Sequence, residues 1–266
     1  MTSTTTTTSQ LADLKEARTS LSSTSTRCTL NPSSFYPTRT LTVDALGIRA
    51  FRLPIPSRQT EIFIRNSDGS EAYISTRDRL WSGNSVLSHP KLGDLIRTDY
   101  FFGPNREPIL RLLQTSSVLP DEIRISRQWT SRTTRFTMPG GREYEWVYEK
   151  EKREGQRVNL VILRPVDVDD QTMADKSEKN ETSANESDEG DRRIAQLVRS
   201  AETRTPGTSR CTAGNGGELQ IDDAGLDACG LDQAVVVATC LVMLKKEMDR
   251  RRMIQFMAIG GAGGGS

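Results

Sequence analysis

The sequence predicts a mainly β fold, a closed antiparallel barrel of about ten to twelve strands around one central, C-terminal hydrophobic helix. Three observations lead there. From Leu41 onward, short β-prone runs alternate with turn residues at intervals of about eight to twelve, the spacing of antiparallel sandwiches and barrels. The block at 234–244 is apolar on every face, so a helix built from it must be surrounded by apolar matter. Its length, roughly 16 Å at 1.5 Å per residue against about 30 Å of bilayer hydrocarbon, makes that matter protein rather than lipid. Closing the strands removes the sheet edges, and the helix supplies the core that a wide barrel lacks.

Residues 41–51 alternate loosely and open the barrel. The run 61–65 is followed by Asn66-Ser67-Asp68-Gly69, a strong turn signal, and then by 71–75, which makes a hairpin. Strands are expected at 94–102, 108–113 and 122–128, the last two separated by a turn-prone Ser-Ser-Val-Leu-Pro. Residues 133–137 and 143–148 flank Met138-Pro139-Gly140-Gly141, the clearest hairpin, and put Tyr144, Trp146 and Tyr148 on one face. Val158-Asn159-Leu160-Val161-Ile162-Leu163 marks a further strand at 157–165. After an acidic insert the β pattern resumes at 193–199 and 217–222, with a Gly- and Pro-containing loop between. Asp232 then caps the helix, whose last turns carry basic residues that complement its dipole.

Two tracts are unsuited to a core. The first 40 residues are Ser/Thr-rich with no apolar period, and residues 167–191 hold ten carboxylates against Lys176 and Lys179. Both are expected to be disordered, which leaves one barrel domain at 41–257, interrupted by the insert and followed by a flexible Gly-rich tail at 258–266. Taking the insert's minus eight from the overall plus one leaves about plus nine on the rest, so a basic body sits beside an acidic strap. That separation fits either an anionic partner or an intramolecular contact.

Cys28, Cys211, Cys229 and Cys240 have no C-x-x-C spacing, and one of them lies inside the apolar block. With no secretory h-region at the start, the expected setting is reducing, intracellular and cytoplasmic. The acceptor-like triplets at Asn180 and Asn185 then carry no meaning. Arg18, Arg27 and Arg39 would suit a transit peptide, but Asp13, Glu16 and the missing amphipathic period speak against one.

Eight segments together resemble a known family. They are Leu41-Thr42-Val43-Asp44-Ala45-Leu46-Gly47-Ile48, Tyr73-Ile74-Ser75-Thr76-Arg77, Lys91-Leu92-Gly93-Asp94-Leu95, Tyr100-Phe101-Phe102-Gly103-Pro104-Asn105-Arg106, Trp129-Thr130-Ser131-Arg132, Ala195-Gln196-Leu197-Val198 with residues 209–217, and the helix from Val236 into its Lys/Arg cluster. Spread over 41–166 and 192–257, the set resembles fungal members of the tubby C-terminal-like superfamily, which includes plant LURP-one-related proteins and phospholipid scramblases. The resemblance implies a closed barrel around a central hydrophobic helix. Tubby itself binds phosphoinositide headgroups through basic side chains, but its lipid-binding motif aligns with no particular position here, so no ligand residue is carried over.

Catalysis is not expected. His89 is the only histidine, it stands beside Pro90, and no nucleophile or carboxylate is placed next to it by a motif. No metal-ligand spacing, P-loop or G-x-G-x-x-G is present, so neither cofactor nor metal is expected.

Two basic groups are candidate sites. Lys245, Lys246, Arg250, Arg251 and Arg252, followed by Met253, Ile254, Phe256 and Met257, could bind anionic lipid headgroups beside an interfacial apolar patch. The other reading makes them a helix end paired with the dipole and with Glu247 and Asp249. Arg124, Arg127, Arg132, Arg135 and Arg142 lie on neighbouring strands, either converging on an anion or facing solvent to limit aggregation.

Nucleic acid is not expected as a partner, because Tyr144, Trp146 and Tyr148 lack interleaved basic residues and fit a barrel core. A charged octet directly after the short apolar block argues against insertion across a membrane. The expected function is a non-catalytic intracellular binding or adaptor module that engages phosphoinositides or an anionic membrane surface peripherally. The alternative is a protein-interaction or stress-response regulator that works through the disordered tracts.

Overall fold

The computed structural model describes residues 35–50, 58–80, 82–101, 107–113, 122–126, 132–153, 156–166 and 193–262. Twelve strands form one antiparallel sheet that curls into a nearly closed barrel. In chain order they are β1 (Arg39–Ile48), β2 (Glu61–Asn66), β3 (Glu71–Thr76), β4 (Ser85–His89), β5 (Gly93–Asp99), β6 (Ile109–Leu112), β7 (Glu122–Arg124), β8 (Thr134–Thr137), β9 (Glu143–Arg153), β10 (Gln156–Pro165), β11 (Ala195–Arg199) and β12 (Ala213–Ile221). Two helices, α1 (Asp223–Cys229) and α2 (Gln233–Ala262), follow.

The sheet order is β7-β6-β5-β4-β3-β2-β1-β12-β11-β10-β9-β8, so nearly all neighbours in space are neighbours in sequence. The first and last strands zip together from Arg39 opposite Ile221 to Ile48 opposite Ala213. Between β7 and β8 the ladder thins to a bridge at Ile125 and Phe136, with the Ser126 N–H donated to the Arg135 carbonyl at 2.8 Å. This seam is the weak line of the barrel.

All twelve strands contribute to the cluster that surrounds α2, among them Leu41, Ile64, Leu87, Leu110, Trp146 and Leu219. Within the apolar block Val236 and Val237 are fully buried, as an all-round apolar helix requires. Thr239, the one polar residue there, is satisfied by its own helix: its hydroxyl donates to Val235 O at 2.8 Å. Tyr144 and Trp146 are also fully buried, and Tyr148 packs at the edge of the same core. β10 is buried on both faces, Val161 and Leu163 toward α2 and Leu160 and Ile162 in a second cluster with Val198. That is why it reads as a continuous apolar run rather than an alternation.

Several elements differ from the sequence reading. Arg39 and Thr40, expected in the N-terminal arm, begin β1 because they pair with Ile221 and Gln220. β4 and α1 were not expected. Ser85-Val86-Leu87-Ser88-His89 carries little apolar signal, and only Leu87 of it is fully buried. α1 is short, but its stop and start signals are complete: Asp222 accepts from Ala224 N, and Gly230 closes the C-terminus at φ 64°.

β12 starts at Ala213 rather than 217, its first half disguised by glycines. At Gly216 a side chain would run into the Val43 carbonyl, and Gly214, at φ +71°, lies against Leu244 O and the Met248 side chain. α2 continues to Ala262 where a flexible tail was expected from 258, since each added residue of a formed helix gains one backbone bond. Residues 1–34, the whole acidic insert 167–191, and Arg127 lie outside the described residues.

Candidate functional site

The two ends of α2 reach the two ends of the barrel. At the first, α1 turns into α2 through a bend of 99°. Asp232 Oδ1 accepts from Ala234 N at 2.6 Å, and the Cys229 carbonyl accepts from the Tyr144 hydroxyl and the Arg142 guanidinium, both at 2.8 Å. These bonds satisfy the backbone groups left over at helix ends, and they close that end with few buried charges.

At the other end, α2 leaves the barrel through a ring of charge. Arg199 of β11 and Glu247 of α2 form a two-bonded pair at 2.8 and 2.9 Å, with side chains only 8% and 14% exposed. Glu247 Oε2 also accepts from Gly214 N at 2.8 Å. Burial by itself would raise the Glu247 carboxyl, but Arg199, reinforced by Gly214 N–H, outweighs it and holds the group below its ordinary value. The same burial, together with the Glu247 charge, pushes the Tyr148 phenol well above its ordinary value.

Beside this pair a cleft of about 600 Å³ opens between α2, the β9–β10 strands and the segment 200–212. Arg204 and Arg210 line it from that segment, Arg250 and Arg251 from α2, and Arg132 and Lys150 from the strand side. With Arg199 and Glu247 neutralising each other, six cations face one remaining carboxylate, Glu149. Ile254 lines the same cleft and, with Phe256 and Met257, stands 51–63% exposed on the emerging helix.

The segment 200–212 is held by its hydroxyls rather than by a ladder. Thr203 Oγ1 donates to Val198 O at 2.9 Å, Thr205 Oγ1 to Val43 O at 3.2 Å, and Ser209 N donates to Thr212 Oγ1 at 3.0 Å. The Thr203 and Ser209 bonds are local side-chain-to-backbone bonds of the kind that fixes a loop, and the Thr205 bond ties the segment to β1. Ser and Thr at 200, 203, 205, 208, 209 and 212 were the available signal for this frame, and the sequence reading passed over it, so Arg204 and Arg210 were missed.

The structure divides the helical cluster that sequence singled out. Arg250 and Arg251 line the cleft, and Arg251 also donates to the Cys211 carbonyl at 3.3 Å. Lys246 reaches the β7–β8 seam instead, donating to Ser126 O at 3.2 Å and Thr134 Oγ1 at 3.1 Å. Lys245 and Arg252 share Asp249, at 2.8 and 3.4 Å, beneath side-chain exposures of 14% and 12%. Asp249 therefore pairs as the helix-end reading expected, while Glu247 pairs with a strand arginine instead.

Comparison with family models, curated proteins and solved structures returns no match. The site rests on its own geometry.

The four described strand arginines do not converge. Arg132 reaches the cleft, Arg135 pairs with Glu145 at 3.1 Å, Arg142 holds the opposite end, and Arg124 is exposed at the β7 edge. His89 ends β4, where its Nδ1 accepts from Lys91 N and Leu92 N at 3.1 and 3.3 Å. Among the described residues no group of His, Cys, Asp or Glu could hold a metal ion. Cys229 and Cys240 are buried and in no disulfide, and burial pushes the Cys240 thiol up to about 12. No single helix among the described residues is long and apolar enough to cross a membrane.

Proposed function

We propose that this chain is a non-catalytic binding module that engages anionic phospholipid headgroups, phosphoinositides foremost, at the charged mouth of the barrel. The observation that carries the reading is the cleft, where six cations line the walls and Glu149 is the one carboxylate outside the Arg199–Glu247 pair, with three exposed apolar residues on the same helix. A headgroup phosphate fits the cations, and Ile254, Phe256 and Met257 fit the boundary between headgroups and acyl chains. Because α2 already fills the barrel, the reading assigns recognition to the outside, on the cytoplasmic leaflet. The resemblance to the tubby-like superfamily supports the same ligand class without naming residues.

Vesicle flotation tests it. Vesicles containing a phosphatidylinositol bisphosphate should carry the full-length protein at low salt and release it as salt rises, and neutral phosphatidylcholine vesicles should not bind. The Arg250→Glu, Arg251→Glu double variant should bind at least tenfold more weakly, at about 1 kcal/mol per basic residue near a charged surface. Absence of binding to anionic vesicles at low salt would overturn the reading and leave the protein-interaction alternative.

A further inference from the structure

The face of α2 opposite the cleft meets a second, much smaller space. It measures about 40 Å³ and is lined by Ala45, Thr98, Tyr100 and Leu241 together with Arg77 and Lys245. Arg77 follows β3, and its guanidinium donates one Nη2 hydrogen to the Gln59 carbonyl. Its Nε is buried and has no partner among the described residues, and the same holds for the Nε of Arg252 next to it. Asp249 is the carboxylate that pairs here, and its Oδ1 takes both Lys245 and Arg252. Its Oδ2 meets no donor, so it makes no hydrogen bond to Arg77.

Among the described residues, Arg77 thus stands beside Lys245 and Arg252 without a bond to the one carboxylate that pairs with those two. Burial, with the Arg252 charge added to it, outweighs Asp249 and lowers the pKa of both Arg77 and Lys245. A net positive charge of this kind is costly to bury unless something negative joins it. We propose that the corner is a binding site for one weakly hydrated monovalent anion, chloride in the cell, held between Arg77 and Lys245. Size and lining select the ligand. A space of about 40 Å³ has room for a monatomic anion with a water. The apolar wall of Ala45 and Leu241 disfavours strongly hydrated fluoride.

The proposal is independent of the lipid reading, because it concerns other residues on the other side of the helix. Its test is thermal melting of the full chain in chloride, bromide, fluoride and gluconate at one fixed ionic strength. Chloride and bromide should raise Tm above fluoride and gluconate, by about 5 °C or more once the halide exceeds its Kd a hundredfold. Arg77→Gln should abolish the difference, while Arg250→Glu with Arg251→Glu should keep it. If Arg77→Gln does not fold, Lys245→Met serves in its place, since Arg252 still covers Asp249.

Crystals grown in bromide give the direct readout, an anomalous peak between Arg77 and Lys245. Equal melting in all four salts, or bromide on the outer surface as an adventitious ion only, overturns the proposal.

Discussion

At the α1 end of the barrel, closure is done by caps: Gly230 and Asp232 turn the chain, and Tyr144 and Arg142 bond the Cys229 carbonyl. At the other end it is done by charge. Arg199 holds Glu247, Lys245 and Arg252 hold Asp249, and Lys246 spans the seam. Capping bonds of the first kind are close to neutral and leave nothing over. Buried ion pairs of the second kind stabilise little in net terms, yet they are costly to break and they leave a field. The contrast teaches that the charged end is the one that can do something besides hold the fold.

Substitutions can break or sharpen that contrast. The largest effect belongs to neither end: Val237→Asp, at the fully buried centre of α2, should lower stability by more than about 3 kcal/mol in thermal or denaturant melts. Parental stability for this variant would mean the helix is not internal.

At the charged end, Glu247→Gln leaves Arg199 buried beside a neutral group and should cost about 3 kcal/mol. A carboxyl depressed in the folded state stabilises fully above its unfolded value, and the gain is lost as pH falls through the folded value. The parent should therefore lose stability progressively below pH 4.5, the ordinary value for the group, and Glu247→Gln should show a shallower decline.

Gly214→Ala adds a methyl against Leu244 O and Met248 at a positive φ, and should cost about 2 kcal/mol by the same melts. Arg142→Ala, at the capped end, removes the bond to Cys229 O and should cost about 1 kcal/mol. A larger loss at Arg142 than at Glu247 would reverse the contrast.

Much of the fold was legible because its strongest elements carry one-dimensional signals. The 234–244 block could only be a surrounded helix, and the hairpin across Pro139-Gly140-Gly141 carried both its turn and its alternation. β4 and the start of β12 were hidden for opposite reasons. β4 has too few apolar residues, and the glycines of β12 exist for a close approach to β1 and α2 that only the folded chain reveals.

The site was half legible. Arg250 and Arg251 were found in the basic run, but Lys245, Lys246 and Arg252 look identical to them in sequence. Only the phase of the helix relative to the strands decides which cations turn inward. Arg204 and Arg210 could not be seen at all without the hydroxyl frame that carries them.

The central claim is that the charged mouth, and not the basic body at large, binds anionic membrane. Matched charge reversals test it directly: Arg251→Glu at the mouth against Arg39→Glu, an exposed cation at the capped end paired with Asp223, each titrated against phosphoinositide vesicles at one ionic strength. The account predicts that Arg251→Glu weakens binding about tenfold or more while Arg39→Glu stays within about twofold of the parent. Equal losses from the two ends would contradict it.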